Sequence, residues 1–469
     1  MADVVTISPA PGKSPLVQRL NCFFAKPQYI AFVCLMALLS NMFALELVVY
    51  TLYALLTAYI CIHGTDLLPL MPVFACCYIA PSVQNNPGRN EASVFTGNGG
   101  VYMAVLGGII AAACLYRIFR DRKKYFGRKY RLLTGMLILS AAYLLGGIGI
   151  PDYWENGASN LLFAFLQGAS IWVLYLLFSG SVDWKKAAKS YFAWLGFFLG
   201  YVLMLEILWT YVTQGVIKDG VILREYIYTG WGIHNNLGAM LVMMIPFAFY
   251  LATKTGKVWL GTVSGSLFLV GVFLSSSRNA ILTGCGIYLV CIVLMLYYAS
   301  EQRKCTIAAL LCMGVGAMGV ILLSPKLLVL FSDILTLGFD PNDRDGIYAH
   351  GLEMFRRYPI FGCSFFSPGY RAWEWSTVEA FSGFFPPRWH NTLVQLLASC
   401  GTVGIVAYAI HRVEMVMMLF KNRSAEKLFI GCSVLALIIC SLFDCHFFNI
   451  GPTLFYAMAL AFAENIQTK

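Results

Sequence analysis

Fourteen apolar stretches, each close to the roughly 20 residues that cross a bilayer as a helix, run through this chain: 29–45, 47–64, 67–81, 101–116, 133–150, 161–179, 191–213, 234–252, 258–275, 280–299, 306–323, 391–410, 427–443 and 446–463. Hydrocarbon satisfies no backbone N–H or C=O, so a spanning segment is a helix or part of a closed barrel. The runs are continuous and do not alternate, which excludes the barrel. The expected fold is an all-α polytopic membrane protein of about twelve to fourteen helices, a single transmembrane domain over 1–469. The run 67–81 is short and proline-bearing, and the turn at Glu46 is tight. A re-entrant or hairpin arrangement there would reduce the count.

Composition agrees: 59% of residues are hydrophobic and 12% charged, where soluble domains have roughly 45–50% apolar residues. Met1 to Ser14 has no apolar core followed by a small-residue cleavage site, so the first span itself is expected to direct insertion. The fifteen cysteines lie mostly within apolar runs, with no C-x-x-C pair and a lone Cys363 in the longest polar stretch. Small apolar filler is the reading; neither a disulfide framework nor a metal site is expected.

Orientation follows from the positive-inside rule. The segment 117–131 holds Arg117, Arg120, Arg122, Lys123, Lys124, Arg128, Lys129 and Arg131, which places it in the cytoplasm. Stepping from there, the other basic short loops fall on the same side: Lys13/Arg19/Lys26, Lys185/Lys186/Lys189, Lys254/Lys257, Arg303/Lys304 and Arg412/Lys421/Arg423/Lys427. Both termini are then cytoplasmic, and 82–100, 151–160, 214–233 and a long loop at 325–389, between spans 306–323 and 391–410, lie outside. The net charge of +10 is thus a topogenic signal and no nucleic-acid footprint. The cytoplasmic pieces are all short and none holds a G-x-x-x-x-G-K-[ST] or G-x-G-x-x-G cradle, so a nucleotide-driven reaction has no visible binding domain and no cofactor is expected.

The outward segments hold the polar residues that composition does not explain. Arg344 opens an amphipathic helix whose Ile347, Tyr348, Gly351, Leu352 and Phe355 recur at helical spacing until Pro359 and Gly362 stop it, with Asp343 as N-cap. Arg344 either pairs with Asp340 or Asp345 or faces a ligand. The aromatic stretch from Phe365 to Trp389 suits a glycan-binding surface and an interfacial belt alike. It ends in Pro386-Pro387-Arg388-Trp389-His390-Asn391, which sets His390 at the mouth of the next span. An imidazole there can take a proton from an attacking hydroxyl, or merely mark the membrane boundary. In the tight turn Ser275-Ser276-Ser277-Arg278-Asn279, Arg278 either snorkels to the interface or aims its guanidinium at an anion such as phosphate, with Ser277 and Asn279 as added donors. His234 and Asn235 open another span at the same level, Arg224 stands in the loop before it, and Glu206 is an acid within the span 191–213, expected to orient a basic residue of the site.

These residues resemble the superfamily of O-antigen ligases and O-antigen polymerases, membrane glycosyltransferases. The likeness lies in the Ser-x-Ser-Arg turn at 275–278, the long outward loop with Arg344 ahead of a helix and a Tyr-Pro-Ile-Phe-Gly turn at 358–362, the His390-Asn391 pair, and the run Gly401-Thr402-Val403-Gly404. What the resemblance implies is an inverting, metal-independent transferase in the cytoplasmic (inner) membrane. It would move a glycan from an undecaprenyl-pyrophosphate carrier to a hydroxyl of a glycan, lipid or wall-polymer acceptor, with no cofactor. Arg278 and Arg344 would hold the pyrophosphate and His390 would serve the acceptor as base; Arg224, His234, Asn235, Ser277, Asn391, Trp389, Arg388 and Glu206 would line or support the substrates. Three other readings compete: a cell-wall glycan polymerase relying on a loop aspartate (Asp340, Asp343 or Asp345), a lipid-linked-glycan flippase or transporter, and a catalytically dead membrane scaffold.

Overall fold

The computed structural model describes residues 15–77, 97–150, 157–218, 221–299, 302–323, 344–364 and 388–466, and these form seventeen α-helices and two small two-stranded sheets. In chain order the first helices are α1 (Pro15–Phe24), α2 (Pro27–Phe43), α3 (Glu46–His63), α4 (Leu70–Cys76), α5 (Gly97–Arg120), α6 (Arg122–Phe126), α7 (Leu133–Leu145), α8 (Gly157–Ser181) and α9 (Tyr191–Thr213). Two antiparallel strand pairs follow, β1 (Ile217–Lys218) with β2 (Val221–Ile222) and β3 (Tyr228–Thr229) with β4 (Gly232–Ile233). Then come α10 (His234–Thr255), α11 (Val258–Leu274), α12 (Arg278–Tyr298), α13 (Arg303–Leu323), α14 (Arg344–Arg357), α15 (Thr392–Phe420), α16 (Ala425–Cys440) and α17 (Ile450–Asn465). Among the described residues, seven helices are long and apolar enough to cross a membrane, or up to eight if α1 and α2, bent by 75° at their junction, form one span. The protein is an all-α polytopic membrane protein, as its apolar runs require.

That count is below the expected twelve to fourteen, with α7 and α11 apolar but shorter, and one further run departs for a reason visible in the packing. The described part of 67–81 holds only α4, seven residues or about 10 Å of helix, against a hydrocarbon core of about 30 Å. Leu67, Leu70, Met71, Val73 and Cys76 are completely buried. The hydrophobicity of this segment therefore reflects burial among the other helices, not contact with lipid. Of the loop at 325–389, only 344–364 and 388–389 are among the described residues; the aromatic stretch 365–387, Asp340 and Asp343 lie outside them.

At the centre is α10, in which every residue from Leu237 to Ala252 is buried. A helix apolar on all faces is stable only inside a bundle or in lipid, and this one is ringed by α9, α11, α12 and α16. At its first turn Gly238 lets the Ser275–Ser277 turn approach: a Cβ on Gly238 would stand 2.7 Å from Ser275 Oγ and 3.1 Å from Ser277 Cβ.

Several of the basic segments meet at one end of the bundle, whereas Arg412, expected with them, is packed inside it against Tyr408, Phe447 and Tyr456. Arg117 donates to Gly64 O (2.8 Å) at the close of α3 and to Asp121 (2.6 Å). Asp66 accepts the N–H of Asp183 (3.2 Å), Arg128 bonds Ser179 O (2.6 Å) and the side chain of Asn465, and Glu464 accepts the N–H of Arg131 (3.0 Å).

At the other end α15 is broken. Gly401 has φ 62° and ψ −153°, and the chain 358–364 fills the break. The N–H groups of Cys363 and Ser364 donate to the carbonyls of Ala398 (2.7 Å) and Ser399 (3.1 Å), while those of Thr402 and Val403 donate to Pro359 O (2.8 Å) and Ile360 O (3.2 Å). Gly147, just beyond α7, donates to Phe361 O (2.8 Å). Backbone groups freed from a helix at membrane depth must find partners in protein. The Tyr-Pro-Ile-Phe-Gly turn and the Gly-Thr-Val-Gly run are the two halves of that repair.

Candidate functional site

His390, Asn235, Arg344, Asn279 and Asn391 converge around a turn the sequence reading passed over: Phe443, Asp444, Cys445 and the 3₁₀ turn His446–Phe448, which join α16 to α17. His390 Nδ1 lies 3.2 Å from Asp444 Oδ1. Asn235, on the first turn of α10, donates to Asp444 Oδ2 (3.3 Å), and the N–H of Cys445 donates to Oδ1 (2.7 Å). Arg344, on the first turn of α14, donates to the carbonyl of Phe443. Asn279, next to Arg278, donates to Cys440 O (2.8 Å), and Asn391 donates to Leu442 O (2.6 Å) while its Oδ1 caps α15 by accepting from Leu393 and Val394 (2.8 and 3.2 Å). The charged groups around His234 are Arg224, Asp444, Arg344 and His446. Three turns far apart in sequence, opening α10, α12 and α15, are thus tied to one loop.

The electrostatics favour an ionised aspartate in a cationic setting. Burial alone would push the Asp444 carboxyl up, but the hydrogen bond from His390, the nearby His446 and the N–H of Cys445 outweigh it and hold the group well below the usual carboxylate range. A carboxylate only accepts, so His390 Nδ1 carries a proton, and in the neutral ring the lone pair is then on Nε2. The His390 side chain is 32% exposed against 14% for Asp444, so the imidazole is the partner open to a ligand. Its backbone has φ 48°, a region non-glycine residues seldom adopt and one that collects at functional positions.

Beneath this pair lies a second layer. Asn236 Oδ1 is 3.1 Å from His446 Nδ1 and 2.7 Å from Asn449 Nδ2, and Arg388 donates to Asn449 Oδ1 (2.5 Å). Burial pushes the His446 imidazole pKa down; Asp444 opposes this, and Arg344, His390 and Arg388 reinforce it. The sign for stability follows. An unfolded histidine takes a proton near pH 6.5, above the folded value, so acidification below about pH 6.5 favours the unfolded chain. Asp444 adds a second loss only below about pH 4, the unfolded aspartate value. The thermal midpoint in detergent should fall between pH 7.5 and pH 5.5, and by less in His446→Asn; an equal drop in both proteins would remove His446 as the cause.

Other expected site residues have different surroundings. Ser277 is buried (2% exposed) as N-cap of α12, its N–H 3.4 Å from Ser275 Oγ. Trp389 is buried, its indole bonded to His350. Glu206 Oε1 accepts from Asn41 Nδ2 (2.6 Å) and Trp231 Nε1 (3.0 Å), tying α9 to α2 and to the turn between β3 and β4. Sequence reasoning missed Asp444, His446, Asn449 and Asn236. The available signal was an aspartate in the short gap between two apolar runs and a histidine two residues on, opening the second run.

One end of this polytopic helical bundle thus gathers the guanidinium groups of Arg344 and Arg388 around a histidine–aspartate pair. Residues 263–409, from within α11 into the lower half of α15, match the family described as O-antigen ligase. Over that stretch the chain is similar to the O-antigen ligase family. No curated protein is similar enough to this chain to match it. Among the described residues no group of three or more His, Cys, Asp or Glu side chains is arranged to hold a metal ion.

Proposed function

We propose that the protein transfers a glycan from an undecaprenyl-pyrophosphate donor to an acceptor hydroxyl at the extracytoplasmic face of the cytoplasmic membrane. The observation that carries this reading is the His390–Asp444 pair standing among Arg344, Arg388 and Asn235. The charge bias puts the basic end in the cytoplasm, and the pair sits at the opposite end.

In the step proposed, the acceptor hydroxyl lies against His390 Nε2. As its oxygen attacks the anomeric carbon from the face opposite the leaving group, its proton passes to Nε2 and the imidazolium is stabilised by Asp444. The bond from the anomeric carbon to the pyrophosphate oxygen breaks with its electron pair, and configuration inverts. Arg344 and Arg278, each on the first turn of its helix, neutralise the charge that develops on the pyrophosphate. Chemical activation is already in the donor, so the reaction needs no nucleotide at this site.

The reading is tested by transfer from purified undecaprenyl-pyrophosphate glycan in vitro. The natural protein is expected to form the product, and Arg278→Ala, Arg344→Ala and His390→Ala each to lose at least about 100-fold. Equal activity in all four proteins would dismiss the site, and movement of the lipid-linked glycan across the bilayer without bond formation would replace transferase by transporter.

A further inference from the structure

The amphipathic helix α14 does more than carry Arg344. It lies on the first turns of α15 with His350, Gly351 and Met354 buried, so closely that a Cβ on Gly351 would stand 2.5 Å from Val394 and 2.8 Å from Trp389. From this helix two side chains reach the segment holding the candidate base. Tyr348 Oη donates to His390 O (3.4 Å), and His350 Nδ1 accepts the indole N–H of Trp389 (2.9 Å), the two rings inclined by only 18°. The backbone N–H of Trp389 is held in turn by Gln395 Oε1 (3.1 Å), whose amide donates to Ser399 Oγ (2.9 Å) beside the break in α15.

An indole nitrogen only donates, so His350 must present the lone pair of Nδ1 and keep its proton on Nε2. His350 has no exposed surface, which bars it from touching a substrate. Its neighbour across the bond immediately precedes His390, whose backbone is in the left-handed region at φ 48°. A histidine stays in that conformation only where the surroundings over-determine it, and two of the bonds that do so come from α14. The helix that positions Arg344 therefore also grips the His390 turn.

We propose that His350 is a positioning residue for the transfer: by accepting the Trp389 N–H it fixes the His390 turn against α14 and so sets the distance between the base and Arg344. This rests on the transferase reading above. Catalytic geometry tolerates little error, since a misplacement of about 1 Å can cost about 100-fold in rate. Substrate binding, spread over other groups, should change much less.

The experiment compares the natural protein with His350→Phe, which keeps a ring of similar size but no acceptor, and His350→Asn, whose Oδ1 falls near the place of Nδ1. Each is assayed for kcat and KM, and Cys363, fully buried beside Met354, Trp389 and Ala398, is probed with a maleimide and read by peptide mass spectrometry. The expected result is a drop in kcat of at least about 10-fold in His350→Phe, with little change in KM, Cys363 protected, and most of the rate restored in His350→Asn. Unchanged kcat in His350→Phe overturns the proposal. So does an Asn variant as slow as the Phe variant, or a loss of rate that accompanies exposure of Cys363, which would reduce His350 to packing. If the natural protein forms no glycosidic product, the transferase reading itself falls; if it does and Arg344→Ala is dead while His350→Phe is normal, only the positioning role is lost.

Discussion

Asp444→Asn should lower kcat for glycan transfer by about 10²–10⁴-fold while leaving the donor KM within a few-fold of its original value. The substitution is nearly isosteric, so the turn between α16 and α17 keeps its shape, although the single amide oxygen can serve only one of the two donors, Asn235 at the Oδ2 position or the N–H of Cys445 at the Oδ1 position. What changes is the partner of His390. The carboxylate 3.2 Å from Nδ1 fixes the proton on that nitrogen and stabilises the imidazolium formed when Nε2 takes the acceptor's proton. An asparagine can turn its amide nitrogen toward the ring, which moves the proton to Nε2 and removes the base. It also leaves the cluster of Arg344, Arg388 and His446 without its carboxylate. Steady-state kinetics with the lipid-linked donor, beside a melting curve of each protein, separates the two effects. A slowed but folded variant supports the assignment, and an Asn variant with normal kcat would show that Asp444 serves only to join the helices.

The fold was legible because lipid imposes one rule on every span. The apolar runs at 191–213, 234–252 and 280–299 reappear as α9, α10 and α12 to within a few residues. Gly64, Arg117, Arg128, Ser179 and Glu464, widely separated in the chain, meet at one end. The segment 67–81 stays open in the sequence between a span and a re-entrant arrangement, because hydropathy cannot distinguish a residue facing lipid from one packed against protein, and α4 is the second kind.

At the site, the residues that a local pattern marks were visible: an arginine opening a helix, a histidine closing a loop, an arginine after serines. Asp444 was not. Its significance lies in a contact with a residue 54 positions away, and in the sequence it reads as an ordinary turn residue between two spans. Glu206 shows the opposite limit. An acid inside a span signals a partner, but not which one, and here the partners include the amide of Asn41 and the indole of Trp231.

The second large effect is expected from Gly401→Ala, which should leave little folded protein in the membrane. At φ 62° and ψ −153° the backbone lies in a region open almost only to glycine, where any other residue costs about 1–3 kcal/mol. The side chain meets a worse obstacle: its Cβ would stand 2.4 Å from Ile360 O and 2.8 Å from Phe361 N. Neither is the end of a flexible side chain; both belong to the turn that fills the break. Moving that turn away unmakes the bonds to Ala398 O, Ser399 O, Pro359 O and Ile360 O together, and buried backbone groups without partners cost about 1–3 kcal/mol each. Gly215→Ala is the control, since Gly215 shares the φ of 62° but has nothing within 4 Å of its Cβ position. Backbone strain alone should leave Gly215→Ala folded with a modestly lower melting midpoint, while Gly401→Ala aggregates or is degraded. If the two variants behave alike in size-exclusion and thermal unfolding, the break in α15 is not locked by the 358–364 turn, and the tight seating of α14, Trp389 and His390 above it must have another source.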